Sequence, residues 1–403
     1  MSEQETAMDW TLSERVSRIS ASQTMAVAAT ATKLREQGLD VVDFGPGEPD
    51  FPTPENIRRA AVRAIHDDYS KYTVVPGLKV LRQAIVDSHR RDFGSDYSLE
   101  EVMANVGAKH AIFNVISALV DHGDEVLIPV PYWVTFADVT RYVGGVPVFI
   151  RTSEDDGFRL TADMVAESIT PKTRLIIVNS PSNPSGAVLE DEEFVRIAAL
   201  CRDRGVVVMS DECYCFFLYD GRKPFSIASR PELRDDVVIV GSVSKTYAMT
   251  GWRLGYTLGN SRLIKAMSKL QSHMTSNPTA ISQMAAVEAL TGPQDSVAAM
   301  LAEYARRRRY VVDRLRSIPG VRCPEPGGAF YAYPNVSAVF GRNGIGNVVD
   351  FSVQLLEKQR VAVVPGVAFG TDEHIRISYA TSIEELTRGL DRIEAFMRAL
   401  SGL

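Results

Sequence analysis

The chain has 403 residues, of which 45% are hydrophobic and 23% charged, a balance typical of a globular protein with a large core. Its net charge of −6 gives no basic excess of the kind that nucleic-acid binding requires, and no run of apolar residues is long enough to cross a membrane. Because the residues before Trp10 also lack the features of a secretory signal, we expect a cytoplasmic protein without a nucleic-acid or membrane partner.

Cysteine and histidine give no indication of a metal site or of disulfide bonds. The four cysteines have the spacing of neither a zinc site nor a redox motif, and the six histidines are scattered along the chain. We therefore expect no metal, and buried free thiols at Cys201, Cys213, Cys215 and Cys323.

Short apolar runs and helical patterns alternate through the middle of the chain. The predicted strands are Glu101–Val106, Glu125–Pro129, Val146–Ile150, Leu175–Val178, Val206–Ser210 and Val237–Val240, and the predicted helices include Lys109–Val120 and Glu190–Arg204. This alternation predicts crossover connections and a mostly parallel sheet that helices cover on both faces. The segment Trp252–Leu258 is a further candidate strand beside that sheet.

The pattern becomes mainly helical in the C-terminal part of the chain. The predicted helices are Ser261–Leu290, Asp295–Ser317 and Asn347–Lys358, and strands or turns are predicted at Gly320–Tyr333, Val361–Val364 and His374–Ser378. The four consecutive arginines Arg306–Arg309 are interpreted as a solvated helix face. A last helix starts at the capping box Ser382–Glu385, and an apolar stripe at helical spacing follows it.

This change of pattern predicts an α/β fold with two domains. We expect a large α/β domain over residues 55–290, and a smaller α+β domain built from residues 14–54 together with residues 291–403. Residues 1–13 would then form an N-terminal extension.

A lysine follows the predicted strand Val237–Val240, within the sequence Ser242–Thr246. Lys245 is unusual there because an unpaired buried ammonium group is costly. A depressed pKa and a Schiff base with a carbonyl cofactor would remove that cost. The hydroxyls of Ser242 and Ser244 could bind a phosphate together with Arg253. A solvated lysine at the mouth of a loop is the alternative, and this motif alone does not decide between the two.

Polar residues also follow two other predicted strands. Asp211 comes directly after Val206–Ser210, where its carboxylate could keep a cofactor ring nitrogen protonated or could cap a helix. Asn183 lies in the turn Asn179–Gly186, which could also be a plain loop. Because ligands of open α/β sheets bind outside the carboxyl ends of the strands, three such strand ends indicate one shared site.

These residues belong to an ordered set that resembles the class I/II aminotransferases, which are pyridoxal-phosphate (PLP) enzymes of fold type I. The bacterial-type aspartate aminotransferase branch, which includes the aspartate/prephenate aminotransferases, is the most similar. The resemblance extends over about residues 14–400. It is carried by Gly45–Asp50, Tyr72, Gly107–Lys109, Pro131–Trp133, Asn183–Pro184, Asp211–Tyr214, Ser242–Lys245, Arg253 and Arg376.

The resemblance implies PLP as the cofactor and a role for each matching residue. Lys245 would bind the cofactor as a Schiff base and then carry the proton between substrate and cofactor. Asp211 would bind the ring nitrogen, and Asn183 and Tyr214 would donate to the ring oxygen. The other cofactor contacts would come from Trp133, Gly107, Ala108, Lys109, Ser242, Ser244 and Arg253, and from the partner subunit's Tyr72 in a homodimer with shared active sites.

The resemblance also implies how small-molecule substrates bind. Arg376 would hold the α-carboxylate, with Gly47, Trp133 and Asn183 beside it. Thr24 and Lys109 match positions associated with dicarboxylic or prephenate substrates, which favours transfer of the amino group from aspartate to 2-oxoglutarate by a ping-pong mechanism. Thr24 could instead be a hydroxyl at a helix start.

Other functions stay open at this stage. The donor could be an aromatic amino acid, or the acceptor prephenate, and a PLP-dependent carbon–sulfur lyase would share most of these motifs. Aminotransferase-like domains also serve as sensors in some transcription regulators. The roughly 40 residues before Gly45 leave too little room for the DNA-binding domain that such a regulator would need.

Overall fold

The secondary structure alternates between strands and helices over most of the chain. The structure, a computed structural model, describes residues 10–19 and 23–401, without the side chains of residues 23–29 and 401. The strands are β1 (Val42–Asp43), β2 (Val102–Asn105), β3 (Glu125–Val130), β4 (Val146–Arg151), β5 (Thr173–Asn179), β6 (Val207–Asp211), β7 (Val237–Ser242), β8 (Gly255–Leu258), β9 (Tyr331–Ala332), β10 (Val361–Ala362), β11 (Val364–Pro365) and β12 (Ile375–Ser378).

The α-helices of the described residues follow the same chain order. They are α1 (Glu14–Ser17), α2 (Gln23–Glu36), α3 (Glu55–His66), α4 (Lys79–Phe93), α5 (Gly107–Leu119), α6 (Thr135–Val143), α7 (Ala162–Ser168), α8 (Asp191–Asp203), α9 (Ser261–Ser272), α10 (Ala280–Thr291), α11 (Asp295–Ser317), α12 (Val348–Gln359) and α13 (Ile383–Ser401). None of these helices combines the length and the apolar character needed to span a bilayer.

A seven-stranded sheet with the order β2-β8-β7-β6-β5-β3-β4 forms the centre of the molecule. Strands β3 to β7 are mutually parallel, whereas β8 runs antiparallel to both of its neighbours, β7 and β2. The six strands predicted for the middle of the chain are all present, and the candidate strand Trp252–Leu258 is confirmed over Gly255–Leu258. The predicted mostly parallel α/β sheet is therefore confirmed.

Alternate residues of the central strands face two separate apolar layers. Leu127 and Ile176 pack into a core with residues of α3, α4, α8 and α10, while Val126 and Ile177 pack into another with residues of α5 and α9. Because side chains alternate between the faces of a strand, a strand buried on both faces is apolar throughout. This is why the sequence of these strands shows continuous apolar runs.

Smaller sheets and the C-terminal helices form the rest of the fold. Strands β11, β12 and β9 make an antiparallel sheet, and β1 pairs in parallel with β10. The predicted helix start is confirmed, with one of the two hydrogen bonds of a capping box: the Ser382 hydroxyl accepts from the Glu385 N–H at 3.2 Å where α13 begins. The limits of the two predicted domains, and of the extension at residues 1–13, stay a prediction.

One predicted helix is wrong. The pattern at Ser261–Leu290 is two helices, α9 and α10, separated by residues 273–279. Pro278 explains the break, because proline has no N–H to donate and its ring disfavours the helical conformation of the residue before it, Asn277. Ser276 also has a positive φ of 57°.

The interpretation of Arg306–Arg309 as a solvated face is wrong for its two central residues. Arg307 and Arg308 are buried. Arg307 donates to Asp50 and Glu303 at 2.8 Å, and Arg308 donates to Asp220 at 2.7 and 3.0 Å. Buried guanidinium groups require such partners, and two of these carboxylates lie far from α11 in the sequence. The prediction of buried free thiols is confirmed, since all four cysteines are buried and unpaired.

Candidate active site

The carboxyl ends of β5, β6 and β7 open onto one cavity. The paired strand ends Asn179 and Asp211 both line it, and Ser242 at the end of β7 lies beside them. Its volume of about 470 Å³ is of the size that holds a small cofactor or substrate. The lining residues are Gly45, Pro46, Gly47, Ala108, Lys109, Trp133, Val134, Asn179, Asn183, Asp211, Cys213, Tyr214, Ser242, Ser244, Lys245, Thr250, Arg253, Tyr331 and Arg376.

Lys245 lies three residues beyond β7 and reaches into this cavity. Its Nζ donates a hydrogen bond to the backbone carbonyl of Gly47. The side chain stays partly accessible from the cavity, but the dense surroundings desolvate the ammonium group and lower the pKa of Lys245 to about 8. A lysine with this pKa has a far larger neutral fraction near neutral pH than an ordinary lysine, so it can act as a nucleophile and as a base.

Asp211 presents a buried carboxylate at the end of β6. Burial raises the pKa of Asp211 to about 6, against the effect of Cys213, whose backbone N–H donates to Oδ1 at 3.1 Å. The Asn179 side chain donates to the Asp211 carbonyl at 3.2 Å and so fixes the neighbouring strand end. A pKa of about 6 leaves the carboxylate ionised at neutral pH, ready to pair with a cationic ring nitrogen.

A small basic cup lies where α5 begins. Gly107, the first residue of α5, has a φ of +78°, and a Cβ there would lie 2.4 Å from Nη2 of Arg253. A side chain at this position would therefore displace the guanidinium group. The Arg253 side chain is held by the Thr250 carbonyl at 2.8 Å, and Ser242 and Ser244 line the same cavity. Helix N-terminal N–H groups, hydroxyls and an arginine together suit a phosphate.

Arg376 is buried on β12 with its guanidinium group at the cavity. Its Nη1 donates to Asn183 Oδ1 at 2.9 Å, and its Nη2 donates to the Gly45 carbonyl at 2.6 Å. Its Nε, also buried, has no hydrogen-bond partner among the described residues. A buried guanidinium group with an unpaired donor is expected to bind an anion, and a carboxylate matches the geometry of its N–H groups.

A second cation, Lys109, lies over the ring of Trp133, with its Nζ 5.1 Å from the ring centroid. Burial lowers the pKa of Lys109, and the positive charge of Arg253 acts in the same direction. Trp133 and Lys109 both line the cavity, as do the predicted backbone contacts Gly47 and Ala108.

The hydroxyl of Tyr214 forms a hydrogen bond of 2.8 Å with the hydroxyl of Tyr331, a residue that was not predicted, and both residues line the cavity. Burial raises the pKa of Tyr214 well above its ordinary value, so it stays a proton donor. Tyr331 lies in the segment Gly320–Tyr333, whose sequence indicates only strands and turns. A single buried tyrosine has no sequence signature, so no available signal could have identified it.

Among the described side chains, one predicted site residue, Tyr72, does not line the cavity of this chain. Tyr72 is 91% exposed in the single chain, and its predicted contact with a partner subunit stays a prediction. The backbone of Thr24 belongs to α2, but its side chain lies outside the described residues.

The donor set at this cavity fits pyridoxal phosphate. A lysine of lowered pKa can bind its aldehyde, and the Asp211 carboxylate can pair with its ring nitrogen. The space in front of Gly107 and Arg253 is basic, and a Cβ would fill it. The orphaned Nε of Arg376 leaves a donor for the carboxylate of an amino acid.

Comparisons with known proteins agree with this geometry. The family described as aminotransferase class I and II matches residues 39–393. An aspartate aminotransferase of Geobacillus stearothermophilus is 43% identical, over 96% of this chain and 99% of that protein. A probable aspartate/prephenate aminotransferase of Rickettsia conorii is 44% identical, over 95% of this chain and 97% of that protein.

Solved structures show the same fold. The aspartate aminotransferase of Rhizobium meliloti superposes with a TM-score of 0.93 at 41% identity, over 96% of this chain and 99% of that one. The Thermus thermophilus aspartate aminotransferase with maleate gives a TM-score of 0.91 at 38% identity, over 96% of this chain and all of that one. Family match, sequence relatives and fold all agree: the chain belongs to the class I and II aminotransferases and is a PLP-dependent enzyme.

Proposed function

We propose that this enzyme transfers the amino group of L-aspartate to 2-oxoglutarate and so forms oxaloacetate and L-glutamate. The observation that carries the proposal is the convergence of Lys245, Asp211 and Arg376 on one cavity that Lys109 also lines. The similarity to proteins named aspartate aminotransferase supports the choice of substrate.

The residues of the cavity would hold PLP at every polar part of the cofactor. Lys245 would hold it covalently, Asp211 would bind its ring nitrogen, and Asn183 and Tyr214 would donate to its ring oxygen. Trp133 would stack on the ring. The phosphate would lie against Gly107, Ala108, Lys109, Ser242, Ser244 and Arg253. When bound, PLP carries the amino group between the two half-reactions and delocalises the negative charge that develops at the substrate α-carbon.

Lys245 would also be the acid and base of the reaction. Because desolvation lowers the pKa of Lys245 to about 8, its amine can take the proton from the substrate α-carbon and return it without a large energetic cost. Asp211 stays ionised through this step, since its pKa of about 6 lies below neutral pH and a cationic ring nitrogen would lower it further.

Arg376 and Lys109 would orient the substrate. Arg376 would bind the α-carboxylate, with its free Nε as one donor and with Asn183 fixing the guanidinium plane. Lys109, and Thr24 of α2, would meet the distal carboxylate of aspartate or 2-oxoglutarate. A lysine is a flexible point charge and enforces specificity less strictly than a bidentate arginine. Prephenate, also a dicarboxylate, is therefore a second candidate acceptor, which the Rickettsia relatives favour.

A panel of amino donors tests this proposal. With 2-oxoglutarate as acceptor, we expect aspartate to give the highest kcat/KM, ahead of phenylalanine, tyrosine and alanine, and glutamate with prephenate to give measurable turnover. The visible absorbance of the bound cofactor should fall when aspartate is added alone and return with 2-oxoglutarate. Lys245→Ala should abolish multiple turnover. Pyruvate and ammonia released from cysteine without any acceptor would instead support a lyase.

We also propose that the enzyme is a homodimer in the cytoplasm. The surface formed by Tyr72, Val74 and Met274, hereafter the Tyr72 surface, exposes three large side chains in the single chain. The family resemblance places the partner subunit's Tyr72 at the phosphate, which would account for such exposure. The four free thiols support a reducing compartment. Sedimentation of the holoenzyme and cell fractionation test the two statements.

A further inference from the structure

Tyr331 is fully buried on β9, where it pairs with Ser378 of the strand that carries Arg376. Its side chain nevertheless lines the active-site cavity. Two different parts of it face two different groups of the site. Its hydroxyl lies 2.8 Å from the hydroxyl of Tyr214, and its ring face lies 4.6 Å from the guanidinium carbon of Arg376.

When the cofactor is bound, the hydrogen bond between the two hydroxyls can have only one donor. Each phenol has a single proton to donate. If Tyr214 donates its proton to the ring oxygen of the cofactor, as proposed above, then Tyr331 must be the donor to the oxygen of Tyr214. A phenol that accepts a hydrogen bond becomes a stronger donor, because consecutive hydrogen bonds polarise one another. Tyr331 would therefore strengthen the contact of Tyr214 with the cofactor without touching the cofactor itself.

The space around this hydroxyl is closely filled. A Cβ at Gly47 would lie 2.6 Å from the Tyr331 oxygen, and the Gly47 carbonyl accepts from Lys245 Nζ. The hydroxyl therefore has no room to move away from Tyr214 without displacing the segment that meets the lysine. This explains why glycine is needed at position 47 in addition to any contact of its N–H with substrate.

The ring of Tyr331 supports Arg376 from one side. The guanidinium carbon lies 4.6 Å from the Tyr331 centroid and 5.1 Å from the Phe369 centroid, so the cation is in contact with two aromatic rings. The hydrogen bonds from Nη1 to Asn183 and from Nη2 to Gly45 fix the orientation of the guanidinium plane. The contacts with the two rings restrict its movement perpendicular to the ring faces. An arginine held in this way loses little conformational freedom when a carboxylate binds.

We propose that Tyr331 is a positioning residue for transamination, which orients and polarises Tyr214 through its hydroxyl and holds Arg376 in place through its ring. The inference rests on the proposed roles of Tyr214 and Arg376. The side chain of Tyr331 would make two separable contributions. One substitution can remove the hydroxyl alone, and another can remove both the hydroxyl and the ring.

The variants Tyr331→Phe and Tyr331→Leu separate the two contributions. Tyr331→Phe removes only the hydroxyl and keeps the ring under Arg376, whereas Tyr331→Leu removes both. Tyr333→Phe is the matched control, because Tyr333 is also buried in this region but its hydroxyl bonds to Thr371 at 2.6 Å and does not line the cavity.

The hydroxyl is tested by a spectroscopic pH titration of the holoenzyme without substrate. Removal of one hydrogen bond in the chain leading to the ring oxygen should raise the pH midpoint of the visible absorbance change in Tyr331→Phe by about half a unit to one unit. The midpoint of Tyr333→Phe should not move. A Tyr331→Phe midpoint equal to that of the control would overturn the role of the hydroxyl, whatever the enzyme's substrate proves to be.

The ring is tested by KM for the amino donor. Tyr331→Phe should leave KM within about twofold of the wild type, and Tyr331→Leu should raise it on the order of tenfold, as expected for the loss of a buried cation–π contact. Equal KM values in the two variants would overturn the role of the ring. Loss of aspartate turnover in the wild type would contradict the proposed function instead. If Tyr331→Leu fails to fold, Tyr331→Met gives the same comparison, since methionine also fills the space without an aromatic ring or a hydroxyl.

Discussion

Lys109 combines two properties that bear on substrate choice. It lies over the Trp133 ring, and burial lowers its pKa, with the charge of Arg253 adding to the effect. A cation that is partly desolvated gains more from a carboxylate than an exposed one does. The length of the Lys109 side chain also lets it respond to substrates of different size.

We predict that Lys109→Met lowers kcat/KM for aspartate by roughly tenfold to a hundredfold, the loss expected for a charge-assisted hydrogen bond. Methionine keeps the apolar stem against Trp133, so kcat/KM for phenylalanine should change by less than about threefold. Steady-state kinetics at saturating PLP, with cofactor occupancy measured alongside, check this. Lys265→Met on the exposed face of α9 is the control. An equal loss for both donors would mean that Lys109 acts on the cofactor alone.

Some residues of the site could be predicted from the sequence and others could not. The place of Lys245, Asp211 and Asn183 at one cavity was predictable because each follows a predicted apolar strand, and ligands bind at the carboxyl ends of such strands. Their individual roles came from the family resemblance. Tyr331 was not predictable, because it lies far from its partner Tyr214 in the sequence and belongs to none of the motifs that indicated the site. The same limit explains Arg307 and Arg308, since their partners Asp50 and Asp220 cannot be inferred from the sequence of α11.

At the scale of elements, one turn connects the central sheet to the strand that carries Arg376. Glu154 begins a short turn after β4, and its carboxylate accepts hydrogen bonds from Arg322, from Asn335 at 3.1 Å and from His374 Nε2 at 2.7 Å. His374 precedes β12 and stacks on Tyr333, with the ring centroids 4.8 Å apart. One carboxylate thus fixes the start of β12 relative to β4.

The pKa values of this pair give the cluster a definite pH dependence. Burial would raise the pKa of Glu154, but the hydrogen bonds from Arg322, His374 and Asn335 outweigh it and leave the pKa below its ordinary value. Burial lowers the pKa of His374, against its bond to Glu154. Both groups therefore bind protons less readily in the folded state than in the unfolded state. Their stabilisation is complete above the unfolded values, about 6.5 for histidine and 4.3 for glutamate, and is lost as pH falls through the lower folded values.

We predict that Glu154→Gln lowers the free energy of unfolding at pH 7.5 by about 1–3 kcal/mol, because a neutral amide replaces a carboxylate with several charged or polar donors. The variant should also lose more stability than the wild type between pH 7.5 and pH 4.5, because Glu154 no longer raises the pKa of His374, whereas the wild-type Glu154 contribution is largely retained over this range. Urea unfolding at the two pH values measures both effects. Asp155→Asn, at the next and exposed position, is the control. An unchanged pH slope in Glu154→Gln would contradict the assignment.

The elements themselves were largely predictable, and the exceptions have physical causes. The central strands are buried on both faces, so their apolar runs stand out from the sequence. Strands β9, β10 and β11 have only two residues each, too few for any periodicity to appear. The merged helix at Ser261–Leu290 was wrong because Ala280–Thr291 continues the apolar character of α9 across Pro278.

At the scale of the whole molecule, the Tyr72 surface is held in a fixed position by buried amide groups. The side chain of Gln271 donates to the carbonyls of Val75 and Ala104 at 3.0 and 3.1 Å, and Gln283 donates to Thr73 at 3.0 Å. These bonds join the segment around Tyr72 to α9, α10 and the edge strand β2. An exposed tyrosine on so well anchored a segment is suited to reach a neighbouring molecule. Neither the exposure nor the anchoring was visible in the sequence.

Hybrid dimers test whether Tyr72 of one subunit completes the active site of the other. If the partner subunit's Tyr72 completes each site, a dimer of one Tyr72→Ala chain and one Lys245→Ala chain has one intact site, with Lys245 from the first chain and Tyr72 from the second. An equal mixture, refolded together at limiting PLP, should therefore recover roughly a quarter of the wild-type activity, because half of the dimers are hybrids with one site of two intact. Differently tagged chains and tandem purification isolate the hybrid, which should then show about half of the wild-type activity per dimer. A purified hybrid with no more activity than the mean of its two parents would mean that Tyr72 does not serve the site of its partner.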